Sequence, residues 1–255
     1  MADSLRAFFA DVESPDRHLV VINRESPDPV RNLLDSMLTD QAVSITDIET
    51  AADERDVVAL VEDGKVLARS TLDELLESVL LINSDLYKTG AIELDEVVLP
   101  DVLKGLDEVP FRLRGYPASN KEKLLLIVVS RVIERIAAET GGGTLCSSFQ
   151  RLSRLRDERG TFEVYKTIGD SPVDVHVYGV GALETDESVP VTVHSGTSYP
   201  YRRSWFVVFT PPEDRPSADH AALLALEVEK NVWEAFWTFR PELVRTLDSY
   251  IETEL

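Results

Sequence analysis

The chain has 255 residues, 44% of them hydrophobic, which is enough for one or two domains with a substantial core. Its 46 acidic against 26 basic side chains give a net charge of −20, which repels nucleic acid and argues against direct binding to it. Lysine is scarce, with 7 residues against 19 arginines. Because molar salt screens self-repulsion at this charge, the composition predicts a haloarchaeal-type protein from a high-salt cytoplasm. A basic partner is the alternative explanation of the acidity.

Several other features indicate the cellular compartment of the protein. Cys146 is the single cysteine, so an intrachain disulfide is excluded. The first thirteen residues are too acidic for a signal peptide, and the longest apolar run, residues 124–129, is too short to span a membrane. These features predict a soluble cytoplasmic protein that does not enter a membrane.

The N-terminal part mixes strands with helices and a hairpin. Asp63-Gly64 lies between two apolar runs, a strong hairpin signal. Thr71 and Glu74 have the spacing of a capping box at the start of a helix. The predicted order is a short amphipathic helix (2–12), a strand (18–23), a helix (29–38), a strand (43–48), the hairpin (57–70), a helix (72–82), an irregular or helical connection (83–108) and a short strand (111–114).

The Tyr116-Pro117-Ala118 segment is the best domain boundary, because proline disfavours helix in the residue before it. We therefore predict an N-terminal α/β lobe at residues 1–116 and a second domain at residues 117–255. The fold class is mixed α/β: sheets with antiparallel hairpins, flanked by helices, in two closely associated lobes. The first strand is not followed by a G-x-G-x-x-G motif, which argues against a dinucleotide site.

The second part opens with the longest predicted helix, residues 120–139, with Ser119 and Glu122 as its capping box. A wide apolar stripe along this helix indicates either core packing or a dimer seam. Three glycines, Gly141 to Gly143, then follow the helix, where positive φ is needed. A phosphate-binding loop would instead follow a strand and carry a lysine.

The stretch from 147 to 181 reads as a helix from Phe149, a short helix and a strand. Phe149, Leu152 and Leu155 have helical spacing, whereas residues 173–178 alternate apolar and polar. The elements predicted after it are a strand (191–193), a strand (205–209), a helix (221–229), an aromatic strand (232–239) and a final helix that begins at Pro241 and ends near residue 252.

Four short segments carry a resemblance to a known family. SSFQRLSR, VDVHVYGV, SWFVVF and EAFWTFRPELV occur in this order, and together they resemble the DICT domain. That family is named for sensory domains found with diguanylate cyclases and two-component systems. The resemblance covers roughly residues 119–251. It implies a sensory role and no reaction, with a signalling protein such as a histidine kinase or another regulator as partner, and a homodimer as a further alternative.

Two groups of residues offer alternative chemistry. Asp174, His176 and His194 have the composition of a two-histidine, one-carboxylate metal site, although His194 falls in an apparent loop. Hydrogen bonding or strand packing explains the same residues, and we predict no metal site. Cys146 is either a nucleophile paired with a histidine, a redox-sensing thiol or a small buried hydrophobe.

The remaining signals suggest a ligand pocket. Arg151, Arg154, Arg156 and Arg159 form a basic cluster that either holds an anion or pairs with nearby carboxylates. Aromatic side chains in the second half form either the walls of a pocket for a flat ligand or the core. The predicted ligand-binding residues are Phe149, Arg151, Arg154, Tyr165, His176, Tyr178, Trp205 and Trp237. We interpret the chain as a non-enzymatic sensory module that binds a small ligand or a partner and regulates a signalling output. The alternatives are an enzyme using Asp174, His176 and Cys146, and a ligand-free scaffolding protein.

Overall fold

The computed structural model describes residues 4–13, 15–28, 31–32, 35, 41–84, 94, 97–114, 121–157, 159–183, 189–215 and 219–255, with the backbone alone for residues 79–84, 114, 121–124 and 159. The described strands are β1 (Arg17–Ile22), β2 (Ser44–Ile48), β3 (Val57–Glu62), β4 (Lys65–Thr71), β5 (Phe111–Arg114), β6 (Thr144–Arg151), β7 (Asp174–Val180), β8 (Thr192–Ser195), β9 (Ser204–Thr210), β10 (Ala221–Glu229) and β11 (Val232–Thr238). The described helices are a 3-10 helix (Leu5–Ala10), α1 (Leu72–Ser84), α2 (Asp101–Lys104), α3 (Lys121–Thr140), α4 (Arg154–Asp157), α5 (Arg159–Gly169), α6 (Tyr199–Arg203) and α7 (Pro241–Glu254). The predicted mixed α/β class is confirmed.

The N-terminal strands form a small sheet in the order β2-β1-β3-β4, in which β1 and β2 are parallel and the other pairs antiparallel. The predicted hairpin is present, and Asp63 and Gly64 both have positive φ, at 51° and 73°. The predicted capping box is also present: the Thr71 amide donates to Glu74 Oε2 at 2.7 Å, and the Glu74 amide donates to Thr71 Oγ1 at 3.1 Å. Residues close together in the chain therefore determine both the position of this turn and the start of this helix.

The second sheet has seven strands in the order β5-β11-β10-β9-β6-β7-β8. Strands β6, β7 and β8 are parallel neighbours, and the other pairs are antiparallel. Strand β5 pairs with β11, so a segment that precedes the predicted boundary completes this sheet. The boundary itself lies outside the described residues, and the division into two domains stays a prediction.

Both faces of the large sheet are buried. One face packs under α3 and α5 and shares a continuous core with the small sheet and α1. The other face packs against α7 and the N-terminal 3-10 helix, through residues such as Phe8, Phe236 and Leu247. The sheet is therefore the middle layer of the molecule, and each strand presents alternate residues to two different environments.

Two predicted helices are strands in the structure. Phe149 lies in β6, and of the first helix predicted from Phe149 only residues 154–157 are helical, whereas the short helix predicted after it is α5. Residues 221–229 form β10, which is paired on both sides, with β9 and β11. Alanine, leucine and glutamate favour a helix locally, but a central strand buried on both faces also reads as an unbroken apolar run. The strand predicted at residues 191–193 is β8, which extends through His194, so this histidine is not in a loop.

The long helix α3 ends at the predicted glycines. Gly141 and Gly143 have φ of 60° and 92°, and a Cβ on Gly143 would lie 2.4 Å from the Thr210 carbonyl oxygen. Glycine is required there because the turn runs against β9. The apolar stripe of α3 is buried in the shared core. The capping box predicted at Ser119 and Glu122, and most of the helix predicted at 29–38, lie outside the described residues.

Candidate functional site

A cavity of about 230 Å³ lies between the large sheet and the two helices that cover it. Strands β6 and β9 supply its floor, α3 one wall and α5 another. Its lining is Ile127, Ser130, Arg131, Glu134, Ser147, Ser148, Phe149, Gln150, Arg154, Thr161, Tyr165, Trp205 and Val207. The lining combines aromatic surface with hydroxyl groups and charged side chains, the composition typical of small-molecule sites.

A buried polar network occupies the helix side of the cavity. Arg131 Nη1 donates to Glu134 Oε2 at 2.6 Å, and Arg131 Nη2 donates to Thr161 Oγ1 at 2.9 Å. Both members of the ion pair are almost fully buried, with side-chain exposures of 9% and 4%. Two charges are kept out of water at such a position only when they are paired and hydrogen-bonded.

Tyr165 extends the polar surface to the floor. Its hydroxyl donates to Ser147 Oγ at 2.6 Å, and its ring packs edge-on against Phe149 with centroids 5.1 Å apart. Burial, and then the negative charge of Glu134, raises the pKa of Tyr165 well above its ordinary value. The group is therefore a neutral hydroxyl over the whole physiological pH range.

The mouth of the cavity carries a third charge. Arg154 is exposed, and its Nη1 donates to Gln150 Oε1 at 2.7 Å. Gln150 has φ of 56°, an uncommon value for a residue other than glycine, at the point where β6 leaves its regular pairing with β7. This irregular strand end turns Gln150 and Arg154 toward the opening.

The structure brings four of the eight predicted ligand-binding residues together at this cavity: Phe149, Arg154, Tyr165 and Trp205. The other four lie elsewhere. Arg151 is exposed at the end of β6, and Trp237 is fully buried and stacked on Phe111 at a centroid distance of 4.8 Å. His176 and Tyr178 lie on the opposite face of the sheet from Val175 and Val177. The role of all eight in binding stays a prediction.

Sequence reasoning missed the helix side of the site. Ile127, Ser130, Arg131 and Glu134 are spaced i, i+3, i+4 and i+7, which places them on one face of α3. The polar residues of this set lie beside the apolar stripe of α3. Their spacing was the sequence signal that could have identified a polar face on this helix. This spacing indicates a ligand site only when it is also known that α5 and β6 cover the same face of α3.

A second polar cluster lies on the other face of the sheet. His176 Nδ1 lies 2.9 Å from His194 Nε2, and His176 Nε2 lies 3.1 Å from Asp174 Oδ2. Burial, and then the charge of His176, lowers the pKa of His194, while Tyr178 stacks on His194 with centroids 4.3 Å apart. Within the described part of the chain, no group of three or more potential metal ligands has the geometry to hold an ion.

Cys146 sits beside this cluster, 3% exposed, and its Sγ lies 3.6 Å from Asp248 Oδ1. Burial, and then the negative charge of Asp248, raises the pKa of the thiol. A nucleophilic cysteine needs the opposite effect, a lowered pKa that populates the thiolate. The surroundings of Cys146 therefore suit a packing role and disfavour a nucleophilic one.

Asp248 itself makes stability depend on pH. Burial raises its pKa above the ordinary value of 3.8, so the fold favours the protonated acid. The folded protein then binds more protons than the unfolded chain between the two pKa values, and stability falls as pH rises through that window. Asp248→Asn mimics the protonated form. We expect it to raise the melting temperature at neutral pH and to lose this advantage below about pH 4.

Thermal melts of wild type and Asp248→Asn from pH 3.5 to 8 measure this. Glu254→Gln, an exposed carboxylate at the end of the same helix, is the matched control and should show little change. A gain from Asp248→Asn that is equal at every pH would contradict the role of its ionisation.

Part of the chain matches the model of a known domain family. Residues 101–227 match the model of DICT, described as a sensory domain in diguanylate cyclases and two-component systems. The match supports a sensory role, and it spans just under half of the chain. It begins and ends earlier than the segment expected from the sequence, so EAFWTFRPELV lies beyond it. Every residue that lines the cavity lies within it.

Other comparisons add little. No curated protein matches the chain. The crystal structure of the polyphosphate kinase from Porphyromonas gingivalis is similar over 97% of this chain and 44% of its own length, with 10% identity and a TM-score of 0.37. This chain is thus less than half as long as that protein, and the likeness carries no argument. Among the described helices, none combines the length and the apolar character needed to cross a bilayer. The high-salt origin stays a prediction.

Proposed function

We propose that the chain is a sensory module that binds a small ligand in the cavity between α3, α5, β6 and β9. The observation that carries this proposal is the buried ion pair Arg131–Glu134, which lines a cavity and does not fill the core. Burying such a pair brings little stability compared with apolar residues of the same size. A polar network of this kind is instead useful where a ligand completes it.

The helix α3 connects the cavity to the rest of the chain. Its cavity face carries Arg131 and Glu134, and it also packs against α1 of the N-terminal lobe. A ligand that changes the position of α3 would therefore change the surface that the N-terminal lobe offers to a partner. The family description favours a partner from two-component signalling, such as a histidine kinase or another regulator, and we place this exchange in the cytoplasm.

Filling the cavity tests the proposal. Ile127 is half-buried on the cavity face of α3, whereas Ile136 is half-buried on the same helix and does not line the cavity. We expect wild-type protein purified from its own host to retain a small molecule in native mass spectrometry. Ile127→Trp should abolish this retention, because the indole occupies the ligand volume, and Ile136→Trp should keep it.

The two variants also separate the alternatives. Absence of any retained molecule in the wild type, with a signalling output unaffected by Ile127→Trp, would favour the scaffolding protein. Equal retention by both variants would place the ligand at another site.

A further inference from the structure

The cavity is electrically balanced in its interior, and this restricts the charge of its ligand. Arg131 and Glu134 neutralise each other at 2.6 Å, and both are removed from water. A net charge brought into such a site loses its hydration and meets charges that are already paired. Arg154 lies at the exposed mouth, where solvent screens it. The interior therefore favours an uncharged ligand.

The polar atoms of the interior include both donors and acceptors. A guanidinium group only donates, a carboxylate only accepts, and the hydroxyls of Ser130 and Tyr165 can do either. Ser130 is 6% exposed and lines the cavity, and its Oγ has no hydrogen-bond partner among the described residues. A buried hydroxyl without a partner is costly, so a ligand group that forms a hydrogen bond with it would remove this cost.

The apolar walls set the shape. Phe149 and Trp205 are half-buried aromatic residues on the floor, and Ile127 and Val207 add aliphatic surface. A volume of about 230 Å³ is below the roughly 300–1,000 Å³ typical of drug-sized ligands. The space suits one or two flat rings.

From these observations we infer that the ligand is an uncharged planar carboxamide or lactam, an aromatic ring or heterocycle whose edge offers a carbonyl acceptor beside an N–H donor. The carbonyl accepts from Arg131 or Ser130, and the N–H donates toward Glu134 or a hydroxyl. This inference rests on the proposed function and narrows it. An uncharged ligand differs from the flat anion that the arginine cluster and the aromatic residues suggest from the sequence alone.

Three probes that share one ring test the class. Benzamide has a carbonyl and an N–H₂ group, benzoate has acceptors only, and benzamidine at neutral pH is a cation with donors only. We expect benzamide to bind about tenfold more tightly than either of the others, because each charged probe loses its hydration on entering an interior whose charges are already paired. Titrations followed by protein-observed NMR measure all three affinities and locate the binding, since shifts should centre on Ser130, Thr161 and Trp205.

Two variants sharpen the test. Glu134→Gln keeps the side-chain size but leaves the charge of Arg131 unbalanced, so the preference should change from benzamide to benzoate. Because this variant risks unfolding, Ser130→Ala provides the second measurement with the ion pair intact. It should weaken benzamide by about three- to tenfold, because one hydrogen bond to the ligand is lost. Ser78→Ala, a serine-to-alanine change in α1, outside the cavity, is the matched control.

The outcomes separate this inference from the proposed function. If benzoate or benzamidine binds best, and Ile127→Trp abolishes that binding, the cavity is a ligand site but the carboxamide class is wrong. If none of the probes binds up to its solubility limit, the carboxamide class is again wrong. The proposed function is then tested by native mass spectrometry alone, through the molecule retained by the wild type and its loss in Ile127→Trp. A preference unchanged in Glu134→Gln, together with an unchanged benzamide affinity in Ser130→Ala, would also overturn the inference.

Discussion

Replacing Glu134 with alanine should lower the free energy of unfolding by about 3–5 kcal/mol, the cost of leaving a buried charge without its partner. Arg131 is 7% exposed as a residue, so its guanidinium cannot recover full hydration when the carboxylate is removed. At about 2–4 °C per kcal/mol for a domain of this size, the loss is a large fall in melting temperature. Chemical denaturation at neutral pH measures the free energy directly.

A matched pair on the same helix provides the control. Arg135 and Glu139 are separated by 3.7 Å, and Glu139 is largely exposed. Glu139→Ala should therefore cost at most about 1 kcal/mol. The double change Arg131→Met with Glu134→Leu should be less destabilising than Glu134→Ala, because it removes both charges together. Equal small losses for Glu134→Ala and Glu139→Ala would show that water reaches the buried pair and that the cavity interior is not dry.

Trp237→Ala should cost about 3–5 kcal/mol of stability, and Trp205→Ala should cost clearly less while weakening ligand binding. Trp237 is fully buried in β11 and stacked on Phe111, so its removal leaves a void that the sheet cannot close. Trp205 is half-buried at the cavity, where space is already present. Denaturation curves measure the first effect, and benzamide titration measures the second.

The comparison distinguishes a core residue from a pocket residue of the same type. Trp237→Phe keeps the aromatic stack and removes an indole N–H that has no partner among the described residues. We expect it to cost much less than Trp237→Ala. Loss of benzamide binding in a folded Trp237→Phe variant would contradict the assignment of Trp237 to the core.

Several elements follow directly from the sequence, because their signals are local. The hairpin at Asp63-Gly64 depends on two adjacent residues that accept positive φ, and the start of α1 depends on Thr71 and Glu74, three positions apart. The alternation in β7 and the aromatic pattern of β11 also predict strands that the structure confirms. In each case the interacting groups are close in the chain, so no long-range contact is needed to decide the conformation.

The residues of β10 show where local signals fail. Alanine and leucine at 221–226 favour a helix by propensity, yet the segment pairs with β9 and β11 and is buried on both faces. Strand β11 follows β10 after a short turn, whereas β9 ends at Thr210 and the helices that cover the two faces come from other parts of the chain. Burial on both faces and ladder hydrogen bonds on both edges outweigh a propensity difference of a few tenths of a kcal/mol per residue.

The candidate site divides in the same way. The sequence by itself determined the mixed α/β class, and its motifs resemble a sensory family whose model matches residues 101–227. It also predicted Phe149, Arg154, Tyr165 and Trp205 as ligand-binding residues, and the structure places these four at one cavity. Only the tertiary structure decided that His176 and Tyr178 lie on the far side of the sheet, and that Arg131 and Glu134 of α3 complete the cavity. The physical reason is that a strand divides its side chains between two faces, and only the helix packed over each face decides which of them meet.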